Sequence, residues 1–403
     1  MKKYDVTALG ELLIDFTENG TSQQGNPLFE ANPGGAPCNV LAMLSKLGKK
    51  TAFIGKVGND MFGRQLSDAV KGEGINTDGI IFDQSVPTTL AFVHTGANGE
   101  REFSFIRNPG ADMMLTKDEV NVDLIRESRI FHFGTLSSTH SGVRKATRFA
   151  VETAIRNGAL ISFDPNLREP LWKSLDDARA EIEYGFSKCN ILKISDNEIE
   201  FMFGHNDYDK ASTQLFEKYP NIQLVFITLG ADGSCAYTRS AKAKSPVYNV
   251  TSIEKTGAGD TFFGCALSFV TDDDISAFDN RKLKKILDFA NAGASLITTK
   301  KGALKVMPSK EDILALIGDT KISEIEIKLD TVDDVKEFVG YVTDFGCDFE
   351  IVADRFVVDA KSIMGIFSVD LSKALTLVIG TDDKTEIDRI KKTIQKYLSV
   401  IFT

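Results

Sequence analysis

From Asp5 to about Pro308, short apolar runs alternate with amphipathic segments of helical period. Candidate strands lie at Val6–Leu9, Thr51–Gly55, Ile130–Phe133, Leu160–Asp164, Ile191–Ile194 and Leu224–Thr228. Helical patterns separate them at Pro37–Leu47, Phe62–Glu73, Ser141–Asn157, Asp176–Phe186 and Lys210–Lys218. Brief β-rich runs divided by helices of this length predict βαβ units, and so a largely parallel sheet covered on both faces. An α/β sheet of that kind takes its ligand at the carboxyl ends of its strands.

Two stretches interrupt the alternation. Residues 12–32 carry the polar turns Asn19-Gly20 and Gly25-Asn26-Pro27, and residues 88–106 read as a hairpin. Its strands are Leu90–Thr95 and Glu102–Ile106, joined by the turn Gly96-Ala97-Asn98-Gly99. Such an insertion is either an edge decoration or a lid over the ligand site, and spacing does not choose between them. Composition shifts again near Gly318-Asp319-Thr320. Beyond it, β-rich runs at Ile325–Leu329, Phe349–Val352, Phe356–Asp359 and Leu375–Ile379 surround a helical pattern at Val332–Phe345. A basic helix over Lys384–Leu398 ends the series, predicting a small α+β domain with an antiparallel sheet at residues 322–403.

A net charge of -10 argues against nucleic acid or an anionic membrane as partner, since both require a basic footprint. The five cysteines are widely spaced and form no C-x-x-C pair, which suits a reducing cytoplasm better than a disulfide framework or zinc site. The start of the chain lacks the uninterrupted apolar core of a signal peptide, and no apolar run reaches the ~20 residues of a membrane span. A cytoplasmic protein is expected.

The chemistry concentrates in Lys255-Thr256-Gly257-Ala258-Gly259-Asp260-Thr261-Phe262-Phe263-Gly264. Small residues run into a carboxylate and then into an apolar helix. The backbone N–H groups of Gly257, Ala258 and Gly259 can therefore converge on an anion at the positive helix end, with Asp260 beside it as proton acceptor. That pairing suits phosphoryl transfer to an alcohol. Taken alone, the motif fits equally a plain turn with an acidic first-turn residue.

Further segments carry a resemblance. Residues 1–318 resemble sugar kinases of the ribokinase-like (PfkB) family, and its bacterial fructokinase branch most. One family signature is matched at Lys255–Leu267 and the other at Pro33-Gly34-Gly35-Ala36-Pro37-Cys38-Asn39-Val40-Leu41. Similar segments are Gly10–Phe16, Phe105–Asp112, Asp164-Pro165-Asn166-Leu167-Arg168 and Thr228-Leu229-Gly230-Ala231-Asp232-Gly233. The resemblance implies a ribokinase-like α/β sandwich with a mostly parallel sheet and a β lid from about 12–32 and 88–106. It implies ATP-dependent phosphorylation of fructose to fructose 6-phosphate, with Asp260 as catalytic base and Gly257, Ala258 and Gly259 as anion hole.

On the sugar side it implies Asp15, Gly34, Gly35 and Asn39, with Arg107 and Arg168 near sugar or phosphates or else in ion pairs. On the nucleotide side it implies Lys193, Ser195 and Glu198, then Thr228, Gly230, Gly233 and Asn291 toward the adenine. Glu198 would organise the water shell of Mg²⁺, with Ser195 replacing the family's usual asparagine. Glu254 stands where many relatives have an aspartate beside a monovalent-cation loop. Its extra methylene displaces the carboxylate, so potassium activation is not carried over. A homodimer through the lid is expected by analogy.

Residues 322–403 resemble HPr, the phosphocarrier of the bacterial sugar phosphotransferase system, through Lys361-Ser362-Ile363-Met364-Gly365. All four histidines lie earlier, at positions 94, 132, 140 and 205, so the phosphocarrier histidine is missing. Three roles stay open: docking a phosphotransferase-system or regulatory partner with Ser362 as the modified residue, dimerisation, or an inert remnant. Ser362 also reads simply as an N-cap. Alternatives for the whole chain are a kinase of another small sugar or sugar acid, such as 2-keto-3-deoxygluconate or ribose, or a phosphotransferase-linked sugar sensor.

Overall fold

The strand Tyr4–Leu9 is buried at all but one position, as a strand covered on both faces must be. It lies inside a nine-stranded sheet of the computed structural model, which describes residues 2–95, 101–319, 323–353, 356–381 and 384–398. From one edge the order is Asn76–Asp83, Thr51–Gly58, Tyr4–Leu9, Ser128–Gly134, Leu160–Asp164, Ile191–Ser195, Leu224–Thr228, Ser234–Tyr237 and Lys242–Ser245. Neighbours run parallel as far as Leu224–Thr228, and the last two strands are antiparallel. Those last two are four residues each. The outer one, Lys-Ala-Lys-Ser, hides its strand character behind lysines, a common way of blunting a sheet edge.

The chain builds outward from Tyr4–Leu9 on one side, then crosses to Ser128–Gly134 and builds outward on the other. The crevice of a doubly wound sheet forms at such a reversal, above the carboxyl ends. Register puts particular residues at that rim: Gly134 is level with Asp164, and Ser195 with Thr228. Beneath it, rings from successive elements interlock, Phe133 on Phe163, Phe163 on Phe186 and Phe186 on Tyr219.

A second sheet of four strands has the order Pro27–Gly34, Leu13–Thr21, Leu90–Thr95, Arg101–Ile106. The expected hairpin at 90–106 is antiparallel, and its turn, residues 96–99, lies outside the described residues. Residues 12–32 are more regular than their turn signals suggest. Leu13–Thr21 pairs with Pro27–Gly34 from Leu13↔Gly34 to Thr21↔Pro27. Beyond Thr17 most side chains of these strands are exposed or half-exposed, so no apolar alternation marks them in the sequence. Phe16 and Phe92 stack at 4.9 Å, and Phe62 meets Phe16 edge-on, which anchors this sheet.

The chain divides into two units, Met1–Leu314 and Ala315–Thr403. The second holds an antiparallel sheet in the order Ser323–Ile327, Leu375–Gly380, Asp348–Ala353, Phe356–Asp359. Helices Val332–Thr343 and Lys384–Thr393 accompany it. Phe338, Phe349, Ile351, Leu377 and Ile390 are among the residues of its own core. The basic helix is shorter than expected: after Thr393 the chain tightens into a single turn, Gln395–Tyr397, which leads to a bridge between Leu398 and Ile327. Among the described residues, no helix is long and apolar enough to cross a membrane. All five cysteines are free.

Candidate active site

The apolar run after Asp260 forms the helix Ala258–Asp272, and Gly257 caps it in the left-handed region at φ 75. A side chain at Gly257 would be strained, and its Cβ would lie 2.8 Å from that of Ala303. Further along, a Cβ at Gly264 would lie 2.6 Å from Met43 Cβ, so this helix packs closely on helix Ala36–Lys46. That approach brings together residues far apart in sequence. Asn39, buried on the first helix, donates from Nδ2 to Asp260 Oδ2 at 2.8 Å. Asn39 Oδ1 is buried without a hydrogen-bond partner within the protein. A buried acceptor left open in this way suits a ligand hydroxyl.

The first intrahelical bond runs from Thr261 N–H to the Gly257 carbonyl, so the N–H groups of residues 258–260 have no partner inside the helix. Ala258 N–H donates to the Lys255 carbonyl at 3.3 Å, which tightens the turn. Lys193 supplies a full positive charge here: a Cβ at Gly259 would lie 3.2 Å from its Nζ. The ammonium is buried and donates to both oxygens of Asp164, at 3.0 and 3.2 Å. Burial works against its charge, but the carboxylates of Asp164, Glu198 and Asp260 outweigh that and raise its pKa. Burial also pushes the Asp164 carboxyl up, against the pull of Lys193. The Asp260 carboxyl is raised by burial as well, opposed by the Asn39 hydrogen bond and the charges of Lys193 and Arg168.

Ser195 and Glu198 form a capping box at the start of helix Asp196–Phe203. Glu198 Oε2 accepts the Ser195 N–H at 2.8 Å, and Oε1 accepts the Leu167 N–H at 2.7 Å. The carboxylate thus ties the Asp164–Arg168 loop to the neighbouring strand end. Thr228 and Gly230, with φ 57, follow at the next strand end. Gly233 serves close packing, since a Cβ there would lie 2.0 Å from the Ser245 carbonyl oxygen. Asn291 is buried and occupied by the fold: it accepts from Ser234 Oγ and donates to the Ser245 and Pro246 carbonyls, each at 2.9–3.0 Å.

On the other side of the crevice, a Cβ at Gly34 would lie 2.2 Å from Asp15 Oδ2, and one at Gly35, with φ 130, 2.4 Å from the Glu11 carbonyl oxygen. At Gly35 the neighbour is backbone, so only glycine allows the approach, whereas at Gly34 it is the movable end of the Asp15 side chain. Arg107 is turned into the protein: Nε and Nη2 reach Asp112 Oδ2 at 2.9 and 2.6 Å, Nη1 reaches Thr139 Oγ1, and Nη2 the Leu136 carbonyl. Arg168 remains exposed on the loop behind Asp164, where Asn166 takes φ 45 and its N–H meets Asp164 Oδ1. Glu254 accepts from Thr256 Oγ1 at 2.7 Å and from the Gly302 N–H at 2.9 Å, joining two loops below the anion turn.

Two residues of this site were not singled out from the sequence. Asp164 stood only as the first residue of the Asp-Pro-Asn segment, and Glu11 only inside Gly10–Phe16. Neither carries a sequence signal of its own: Asp164 ends its strand and Glu11 lies two residues past one, and their burial comes from the fold. The assembled site is a buried carboxylate at a glycine-capped helix start, a lysine ammonium against the same turn, and an open acceptor on Asn39. Such a site can deprotonate a hydroxyl and stabilise an anion.

Residues 3–310 match the family model described as pfkB family carbohydrate kinase. The chain belongs to this family of carbohydrate kinases. Within it, the chain is similar to probable fructokinase-3 of Arabidopsis thaliana, 41% identical over 326 residues, 80% of this chain and 94% of that protein. Among solved structures it resembles Xylella fastidiosa fructokinase with bound ATP, at TM-score 0.72 and 31% identity over 79% of this chain and 99% of that one. It also resembles a fructokinase double mutant from Vibrio cholerae O395 in a fructose-, ADP- and potassium-bound form, at TM-score 0.68 and 26% identity, covering 79% and 99%.

Proposed function

We propose that this chain phosphorylates D-fructose with ATP to give fructose 6-phosphate. The reading rests above all on the Asn39–Asp260 contact, which sets a buried carboxylate beside the start of a glycine-capped helix. Fructokinases recur among its relatives, at 41–42% identity over the aligned residues. In the proposed reaction Asp260 takes the proton from the sugar hydroxyl. The backbone at Gly257, Ala258 and Gly259, with Lys193, stabilises the charge on the transferring phosphoryl group. Asp15, Gly34, Gly35 and Asn39 hold the sugar. Arg168 lies close enough to Asp260 to act on its charge and serves the sugar or the phosphates. Thr228 and Gly230 lie toward the adenine, while Gly233 and Asn291 shape that side through packing and hydrogen bonds.

Magnesium fits through its water shell: Asp164 and Glu198 are hard carboxylates, but both Asp164 oxygens accept from Lys193 and both Glu198 oxygens accept N–H groups. Glu198 would therefore act through a water rather than directly. When bound, the ion neutralises and orients the ATP phosphates. Both Glu254 oxygens are engaged, by Thr256 and Gly302, so no potassium requirement is expected.

The reading assigns residues 1–318 to the kinase domain and makes the four-stranded sheet its lid. Leu28 and Phe29 on that lid are 47% and 42% exposed, which supports a homodimer through this face. Residues 322–403 are read as an HPr-like domain without its carrier histidine. Ser362 caps a short helix there by accepting the Gly365 N–H at 3.1 Å. A cytoplasmic setting accords with the five free cysteines.

A coupled ADP-release assay over a panel of sugars tests the reading. Fructose turnover well above that of ribose and 2-keto-3-deoxygluconate is expected. Preference for another sugar, or sugar binding without turnover, would refute it.

A further inference from the structure

Glu11 is buried at the carboxyl end of the strand Tyr4–Leu9, where the central sheet gives way to the lid. Its Oε1 accepts the Ala36 N–H at 3.0 Å. Around that bond two segments are pressed together. A Cβ at Gly10 would lie 2.5 Å from Pro37 Cγ, and one at Gly35 would lie 2.4 Å from the Glu11 carbonyl oxygen and 3.2 Å from Leu12 Cα. Immediately beyond, Leu13 pairs with Gly34 as the first rung of the lid. The carboxylate therefore fastens both roots of the Leu13–Gly34 strand pair at one point. It also fixes the first residue of the helix that carries Asn39, and Asn39 in turn holds Asp260.

We propose that Glu11 is a positioning residue, which sets the start of helix Ala36–Lys46 so that Asn39 meets both Asp260 and the sugar. This rests on the fructokinase reading. Ala36 is the first residue of this helix, so its N–H is one of those a helix start leaves without an internal partner. An oxygen acceptor there satisfies that N–H. Glu11 also lines a cavity of about 10 Å³ together with Asp164, Asn166, Gly134 and Thr135, a space for about one water. Burial raises its carboxyl to about 7, with the Ala36 N–H opposing. An amide can still accept that N–H through its oxygen, which separates the hydrogen bond from the charge.

The test compares E11A and E11Q with wild type for fructose KM, ATP KM, kcat and melting temperature. Wild-type fructose turnover is measured first, so that a failed sugar assignment is seen separately from a failed role for Glu11. E11A is expected to lose about ten-fold in kcat/KM for fructose, the scale of one buried hydrogen bond left unmade, with ATP KM changed far less. E11Q is expected to recover most of that loss. If E11A does not fold, E11D, whose carboxylate falls one methylene short of Ala36, replaces it with the same expectation. An E11A or E11D enzyme that melts lower yet keeps the wild-type fructose kcat/KM overturns the proposal. So does an E11Q enzyme as impaired as E11A.

Discussion

Lys193 links stability and chemistry in one side chain, so replacing it by methionine separates the two. The change removes the ammonium and leaves a side chain of similar length. Asp164, 3% exposed on its side chain, then loses its partner at 3.0 Å. Breaking a buried pair from one side costs about 3–5 kcal/mol, because the remaining charge cannot regain water. K193M is therefore expected to unfold at markedly lower denaturant concentration. The companion K193M/D164N removes the stranded charge and should recover much of that stability. Activity should not follow. The ammonium faces the anion turn, 3.2 Å from where a Gly259 Cβ would be, and loss of one donor to such a centre costs about 10²–10³ in kcat. Both variants should stay slow in the coupled ADP assay, whatever their stability. A double variant with wild-type kcat would refute the reasoning, and so would K193M with wild-type stability.

Other expectations concern neighbouring groups. D260N should retain sugar and ATP binding within a few-fold by calorimetry while kcat falls about 10²–10⁴-fold, the range for general-base assistance. Because burial raises the Asp260 carboxyl, the base is lost as pH falls through a value above the ordinary carboxylate pKa of about 4, and kcat/KM should decline there. An acid limb that inflects at about 4 or below, set by this group, would contradict the burial argument. N291A breaks three hydrogen bonds that tie Ser234 to the Ser245–Pro246 backbone, and should lower stability by about 1–3 kcal/mol in thermal unfolding. Replacing potassium with tetramethylammonium should leave kcat within a few-fold, given the occupied oxygens of Glu254.

The parallel core was legible because buried parallel strands read as unbroken apolar runs, and each of the six expected strands between Val6 and Thr228 lies within an observed strand. Local readings failed where long-range pairing outweighs local composition. Residues 13–21 and 27–34 look like turns, yet form strands because each supplies the other's backbone partners. Within the site, residues on one motif were visible together, but contacts between motifs were not. Asn39 and Asp260 are 221 positions apart, and only the close packing of their helices at Gly264 joins them. Arg107 and Asn291 show the converse. Polar residues in suggestive segments turned out to have partners within the fold, a distinction that depends on burial and not on residue type.

The most direct test follows the product rather than the rate. Wild-type enzyme is incubated with ¹³C-labelled fructose, ATP and Mg²⁺, and the product is examined by ¹³C and ³¹P NMR beside a D260N control. The expected result is phosphate on the C6 oxygen with wild type and almost none with D260N. Phosphate on another oxygen, or equal product from D260N, would contradict the role given to Asp260.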